Sequence, residues 1–232
     1  MTRRESWMLL SLWLSLGLLP HFLRPLWEPD EARYSEIPRA MLATGDWLTP
    51  RLNGVLYFEK PPLQYWLSAC FQWLFGANAV ASRLPLALAS ALSIWAAWRM
   101  SRRLGAREPL WAAVFAATCL LGMAMGQILL LDALFSAFLV AALACALEAV
   151  AEGQGARPQL FWTLGMFVAV SGAFLTKGLA VVVLTGGVLF FVSFVVFVVS
   201  LFHEQTRAPH FPLSLGHPGV PSPDAPPVVG TR

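Results

Sequence analysis

The sequence predicts an all-α integral membrane protein of about six transmembrane helices, with two interfacial helices in its first outer loop. Three observations point there. Charged residues make up 12% of the 232 positions and hydrophobic ones 57%, whereas a soluble domain carries about 25% charged residues. Uncharged apolar runs recur near the roughly 20-residue length that a ~30 Å hydrocarbon core demands. Finally, among the short connections between those runs, arginines recur in alternate ones.

The first run, residues 6–23, follows Arg3 and Arg4 in the manner of a signal peptide. The "RPLWEPDE" after it offers no small-residue cleavage site, so it reads as an uncleaved span. Further runs cover 84–98, 109–131, 133–147, 158–176 and 178–202. Two of these, 84–98 and 133–147, are short, and their flanking charged side chains can snorkel outward. Arg3 and Arg4, then Arg99, Arg102, Arg103 and Arg107, then Arg157, then Arg207 occupy every second connection. The positive-inside rule makes those connections and the N-terminus cytoplasmic. The opposite, outer side then receives segment 24–82, the turn near Asp132 and the turn at Lys177.

Segment 24–82 reads as two short helices lying along the membrane. The first begins at "EPDEARYSEI", with Asp30 and Glu31 in a first turn where the helix dipole favours negative charge. Tyr34, Ile37 and Met41 share one face, and Pro38 predicts a kink or an early stop. The second is "PPLQYWLSACFQWLFG", with prolines at its start and glycine at its end. Gln64, Ser68 and Gln72 form a polar stripe opposite Leu63, Trp66, Leu67, Phe71 and Leu74, the pattern of an interfacial helix.

Several function classes are excluded. The net charge of +3 is spread over loops, without the basic and aromatic clustering of a nucleic-acid groove. Charge gathered on one face argues against a transporter, which would place polar groups near the bilayer midplane. Cys70, Cys119 and Cys145 lie in apolar stretches and read as small buried hydrophobes. His21, His203, His210 and His217 lack metal-ligand spacing.

The stretch "LWEPDEARYSEIPRAMLATGDWLTPRLNGVLYFEKPPLQYWL" resembles the first outer loop of bacterial GT-C type membrane glycosyltransferases. Nearest among them are the aminoarabinose transferases that modify lipid A and the dolichyl-phosphate-mannose-protein mannosyltransferases. "FLTKG" at 174–178 and "LLDALF" at 130–135 resemble two further family motifs. The resemblance runs over about residues 5–190 and implies the N-terminal half of a GT-C fold in the bacterial inner membrane. It implies a polyprenyl-phosphate sugar donor, a lipid A, lipopolysaccharide or protein acceptor, and inverting transfer at the outer face.

That chemistry needs a carboxylate to accept the hydroxyl proton and positive charge to stabilise the departing phosphate. By resemblance Asp30, with Glu31 beside it, is the catalytic acid pair; the plain alternative is a helix N-terminal acid. In "YFEKPP", Glu59 suits a divalent metal cation of unspecified identity and Lys60 a phosphate oxygen. Adjacent extended residues point to opposite sides, and the proline after Lys60 holds it extended. The alternative there is a surface ion pair. Arg33 and Tyr34, one turn beyond Asp30, are candidates for the phosphate or the prenyl chain, or else interfacial anchors. Asp132, nearly alone in an apolar run, is a further candidate, or marks a turn in water. Lys177 is expected to pair with phosphate or carboxylate.

After Phe202 the composition changes. The last 24 residues hold seven prolines and no periodicity, which predicts a disordered tail at 203–232 after a membrane domain at 1–202. The family is longer, with further spans, so the chain is expected to be truncated relative to it. The alternative function is a non-catalytic membrane fragment or accessory subunit.

Overall fold

The computed structural model describes residues 3–150, 156–184, 186, 187 and 194. Those up to residue 186 belong to one compact unit. Its elements are α1 (Arg3–Leu12), α2 (Asp30–Thr44), a hairpin of β1 (Arg51–Leu52) and β2 (Val55–Leu56), α3 (Leu63–Phe75), α4 (Ala79–Arg103), α5 (Leu110–Thr118), α6 (Leu120–Gln127), α7 (Leu131–Ala149) and α8 (Ala156–Lys177). Among the described residues, three helices are long and apolar enough to cross a membrane: α4, α7 and α8; the bent pair α5–α6 is a fourth if taken as one span. The first apolar run continues helically beyond α1 as a π-helical stretch, Trp13–Leu18, and a 3-10 turn, Leu19–Phe22. The expected span at 178–202 and the tail at 203–232 lie largely or wholly outside the described residues.

The spans pack through small residues, as bilayer helices must where tails and side chains are equally apolar. On α8, Gly172 lies so close to Phe138 of α7 that an added Cβ would meet its ring at 2.7 Å. Ala169 packs with Ala141 and Ala142, and Ala173 with Phe135. The opposite face of α8 leaves Phe161, Leu164, Phe167 and Val168 exposed. A second cluster joins the first apolar run to α4 and α5: Ile94, Trp98, Ala113 and Ala117, backed by Leu9, Leu12 and Trp13. At one end of α4, Arg99 bonds Glu148 of α7 at 2.7 Å and covers the Trp162 ring of α8.

Two sequence expectations are corrected. Pro38 does not stop α2, which runs to Thr44 and ends at Gly45 (φ +72°), whose N–H bonds the Met41 carbonyl. Ile37, Pro38 and Met41 are buried, and that packing outweighs the one backbone bond a helical proline removes. The apolar run 109–131 is not one helix: the chain turns extended at Cys119 (ψ 122°), α5 and α6 meet at 59°, and Ile128 leaves the helix. The polar stripe of α3, whose direction the sequence leaves open, faces the protein. Gln64, Ser68 and Gln72 are buried, while Trp73, Leu74 and Phe75 face outward. Gln72 Nε2 donates to the Ser35 carbonyl (3.0 Å) and the Ser82 hydroxyl (2.8 Å), and the Ser68 hydroxyl donates to the Ser82 carbonyl (2.9 Å). The stripe therefore stitches α3 to α2 and α4, and the apolar side is left for the membrane.

Candidate functional site

Residues 24–31 wrap around a side chain of α4. Asn78 caps that helix by accepting the Ala81 N–H, and one turn later Arg83 points inward, fully buried. Its guanidinium donates to the backbone carbonyls of Arg24 (2.9 Å) and Pro25 (2.7 Å) and to both oxygens of Glu31 (3.0 and 2.7 Å). Arg24 grips the same carboxylate at 2.6 and 3.0 Å and also reaches the Gln127 carbonyl. The backbone N–H groups of Trp27 (2.7 Å) and Leu129 (2.8 Å) complete the shell. Burial alone would raise the Glu31 carboxyl; the donors from Arg83, Arg24, Leu129 and Trp27 outweigh it and hold the pKa down at about 2. Glu31 therefore differs from its expected catalytic role: enclosed and saturated with donors, it holds the loop.

Asp30, one residue earlier, has its side chain 55% exposed in the first turn of α2. Arg33 lies 3.6 Å from it and donates to the Tyr57 hydroxyl at 3.3 Å. Tyr57 in turn donates to Glu59 at 2.8 Å. Asp30, Arg33, Tyr57 and Glu59 thus form one directed chain across the loop. Lys60 follows, half-buried, and among the described residues it makes no ion pair. The prolines after it place Pro61 against Gly178, where a Cβ would sit 3.6 Å from the ring. Gly178 takes φ +64° and its N–H bonds the Phe174 carbonyl, closing α8 as a left-handed cap.

The neighbouring Lys177 pairs with Asp132 in the first turn of α7 and lies 5.6 Å from the Phe135 ring. Anion at a helix start and cation at a helix end both suit the dipoles. Three residues before Asp132, Leu129 meets Glu31. These approaches and the stretches of backbone between them close into a ring: Asp30, Arg33, Tyr57, Glu59, Lys60, Pro61, Gly178, Lys177, Asp132, Leu129, Glu31. Tyr34, Ile37, Met41, Tyr65, Leu86, Leu129 and Leu131 form the apolar cluster that supports it.

Tyr34 belongs to that support and is not an open ligand as expected. It is 6% exposed, its ring stacks on Tyr65 at 6.1 Å, and burial pushes its hydroxyl up to about 12. Glu59 stands without companions: among the described residues no group of three His, Cys, Asp or Glu converges to hold a metal ion. Glu59 is the carboxylate available to a divalent cation there, and it already accepts a hydrogen bond from the Tyr57 hydroxyl. Sequence reading missed Arg24, Arg83, Tyr57 and Leu129. A signal for Arg83 was present, since an arginine opening an apolar helix opposes the dipole and needs a carboxylate partner.

Fold and ring together define a multi-span membrane protein whose polar loop is folded back over the helix ends. The chain belongs to the dolichyl-phosphate-mannose-protein mannosyltransferase family, whose profile it matches over residues 6–208. It is 40% identical over 167 residues to the undecaprenyl phosphate-alpha-4-amino-4-deoxy-L-arabinose arabinosyl transferase 2 of Sodalis glossinidius, covering 69% of this chain and 30% of that protein. The corresponding transferase of Pseudomonas paraeruginosa is 38% identical over 183 residues, 77% of this chain and 33% of its own length. The crystal structure of ArnT from Cupriavidus metallidurans bound to undecaprenyl phosphate is similar at a TM-score of 0.72 and 30% identity, over 85% of this chain and 37% of that one. The chain spans about a third of the length of these relatives.

Proposed function

We propose that the ring is the acceptor-activating and phosphate-binding part of a glycosyltransferase. It would act at the outer face of the bacterial inner membrane, with the N-terminus cytoplasmic, as the arginine alternation supports. The donor is a polyprenyl-phosphate sugar, a pentose or hexose, and the acceptor a lipid A, lipopolysaccharide or protein hydroxyl. One observation carries this: an exposed carboxylate, Asp30, and an ammonium, Lys60, that makes no ion pair among the described residues stand on two arms tied into one ring. The relatives' names supply the donor class, aminoarabinose on undecaprenyl phosphate.

In this reading the acceptor oxygen attacks the anomeric carbon while Asp30 takes its proton. The bond from that carbon to the phosphate oxygen breaks, and the electron pair leaves with the lipid phosphate. Lys60 meets the phosphate as a point charge and Arg33, held by Tyr57, adds a second cation. Lys177, neutralised by Asp132, orders the opposite wall. No step is assigned to a metal.

The test is sugar transfer from an undecaprenyl-phosphate aminoarabinose donor to lipid A in membranes carrying the protein. Asp30→Asn is expected to lower kcat by about 10²- to 10⁴-fold. Lys60→Ala is expected to raise the donor KM. Unchanged transfer by both variants, with normal insertion, would sink the assignment and favour an accessory subunit.

A further inference from the structure

Glu31 joins two parts of the chain that are far apart in sequence. One of its oxygens accepts the Trp27 N–H, four residues before it, and the other accepts the Leu129 N–H, 98 positions away. Arg24 repeats the tie by bonding both Glu31 and the Gln127 carbonyl. Asp30 is covalently next to Glu31 on one side. On the other, the 128–130 link runs directly into the first turn of α7, which carries Asp132 and, through it, Lys177. Arg83 anchors the whole assembly on α4. A buried ion cluster of this kind is a poor source of stability, since apolar packing of equal volume often serves as well. Its particular capacity is to fix a register between segments.

We infer that Glu31 is a positioning residue whose carboxylate sets the placement of Asp30 relative to the Asp132–Lys177 pair. A carboxylate of this reach spans two backbone amides from two arms while two guanidiniums hold it in plane. Shortening it by one carbon leaves the charge between the guanidiniums but withdraws the oxygens by about 1.5 Å, so both amides cannot be met at once. The two arms then lose their common reference. The catalytic meaning of this tie rests on the function proposed above, and the two are tested separately.

The first measurement is hydrogen exchange, by mass spectrometry, of the full chain in nanodiscs, following peptides that contain residues 25–31 and 128–131. Glu31→Asp is expected to speed exchange at Leu129 by about tenfold or more, as loss of a charge-assisted bond would. Peptides of α8 should stay as in the parent. Arg24→Gln keeps the Arg83–Glu31 pair and so preserves the fold if the first variant does not; it should loosen 128–131 to a smaller degree. Unaltered exchange at 128–131 in both variants overturns the inference. The second measurement is sugar transfer by Glu31→Asp, where kcat should fall at least tenfold with the donor KM within about threefold. A parent that transfers sugar and a variant that matches it also overturn the inference. A parent inactive toward lipid-linked sugars defeats the proposed function, while the exchange result still decides whether Glu31 ties the two arms.

Discussion

At the scale of residues, adjacent acids have opposite fates. Asp30 and Glu31 are equivalent by composition and both suit a helix start, yet one faces outward and the other is sealed between two arginines. The difference is helical rotation: successive residues lie about 100° apart, so only one of them can face α4 and the 128–130 link. A pH dependence follows for Glu31. Its carboxyl is depressed from 4.5 to about 2 in the folded protein, so its contribution to stability is complete above about 4.5 and is lost as pH falls toward 2. Thermal unfolding of the detergent-solubilised protein should therefore show an acid step beginning below pH 4.5, and Glu31→Gln should lack it. An identical step in that variant would assign the acid sensitivity to another carboxylate.

At the scale of elements, α3 shows what periodicity conveys and what it leaves open. The Gln64–Ser68–Gln72 stripe was legible, as was the apolar face opposite it, but its direction was not. A stripe with polar and apolar sides has two stable placements: apolar side inward in water, or apolar side outward against lipid with the polar side satisfied by protein. Ser35 and Ser82 decide for the second, and they lie on helices 37 and 10 residues from Gln72. Gln72→Ala should then cost about 1–3 kcal/mol by stranding its buried partners, whereas Trp73→Ala, one position along on the exposed face, should change stability by less than about 0.5 kcal/mol. Chemical denaturation in mild detergent compares the two directly. The Asp30 and Lys177 helix boundaries were legible for a simpler reason, because proline and glycine punctuate them. The break at Cys119 was not, since "ATCLLGMAMGQ" keeps its hydropathy unbroken while its backbone turns.

At the scale of the whole molecule, charge deficit and apolar run length were sufficient for the class of protein and for the place of most of its described helices. Of the ring, Asp30, Arg33, Glu59, Lys60, Asp132 and Lys177 were all nameable from the sequence as charges out of place. Their closure into one circuit was not, because it depends on a backbone amide at Leu129 and a tyrosine hydroxyl, neither of which has a sequence signature. The bend between α5 and α6 has a further consequence, for the lipid. Helices of nine and eight residues meeting at 59° reach only about 20 Å along the axis of the first, at 1.5 Å per residue. A bilayer's hydrocarbon core is roughly 30 Å thick. The extended link 128–130 continues the path, sheltered by protein as irregular backbone in a membrane must be, but it presents little apolar surface outward. Taken as one span, the pair predicts a bilayer drawn thin on this flank, with headgroups nearer the loop that carries Asp30 and Lys60. Reconstitution into lipids of graded chain length should show highest thermal stability in the thinner bilayers, with the deficit in thick ones growing by fractions of a kcal/mol per Å of mismatch. The membrane's own thickness is then one of the dimensions to which this protein is built.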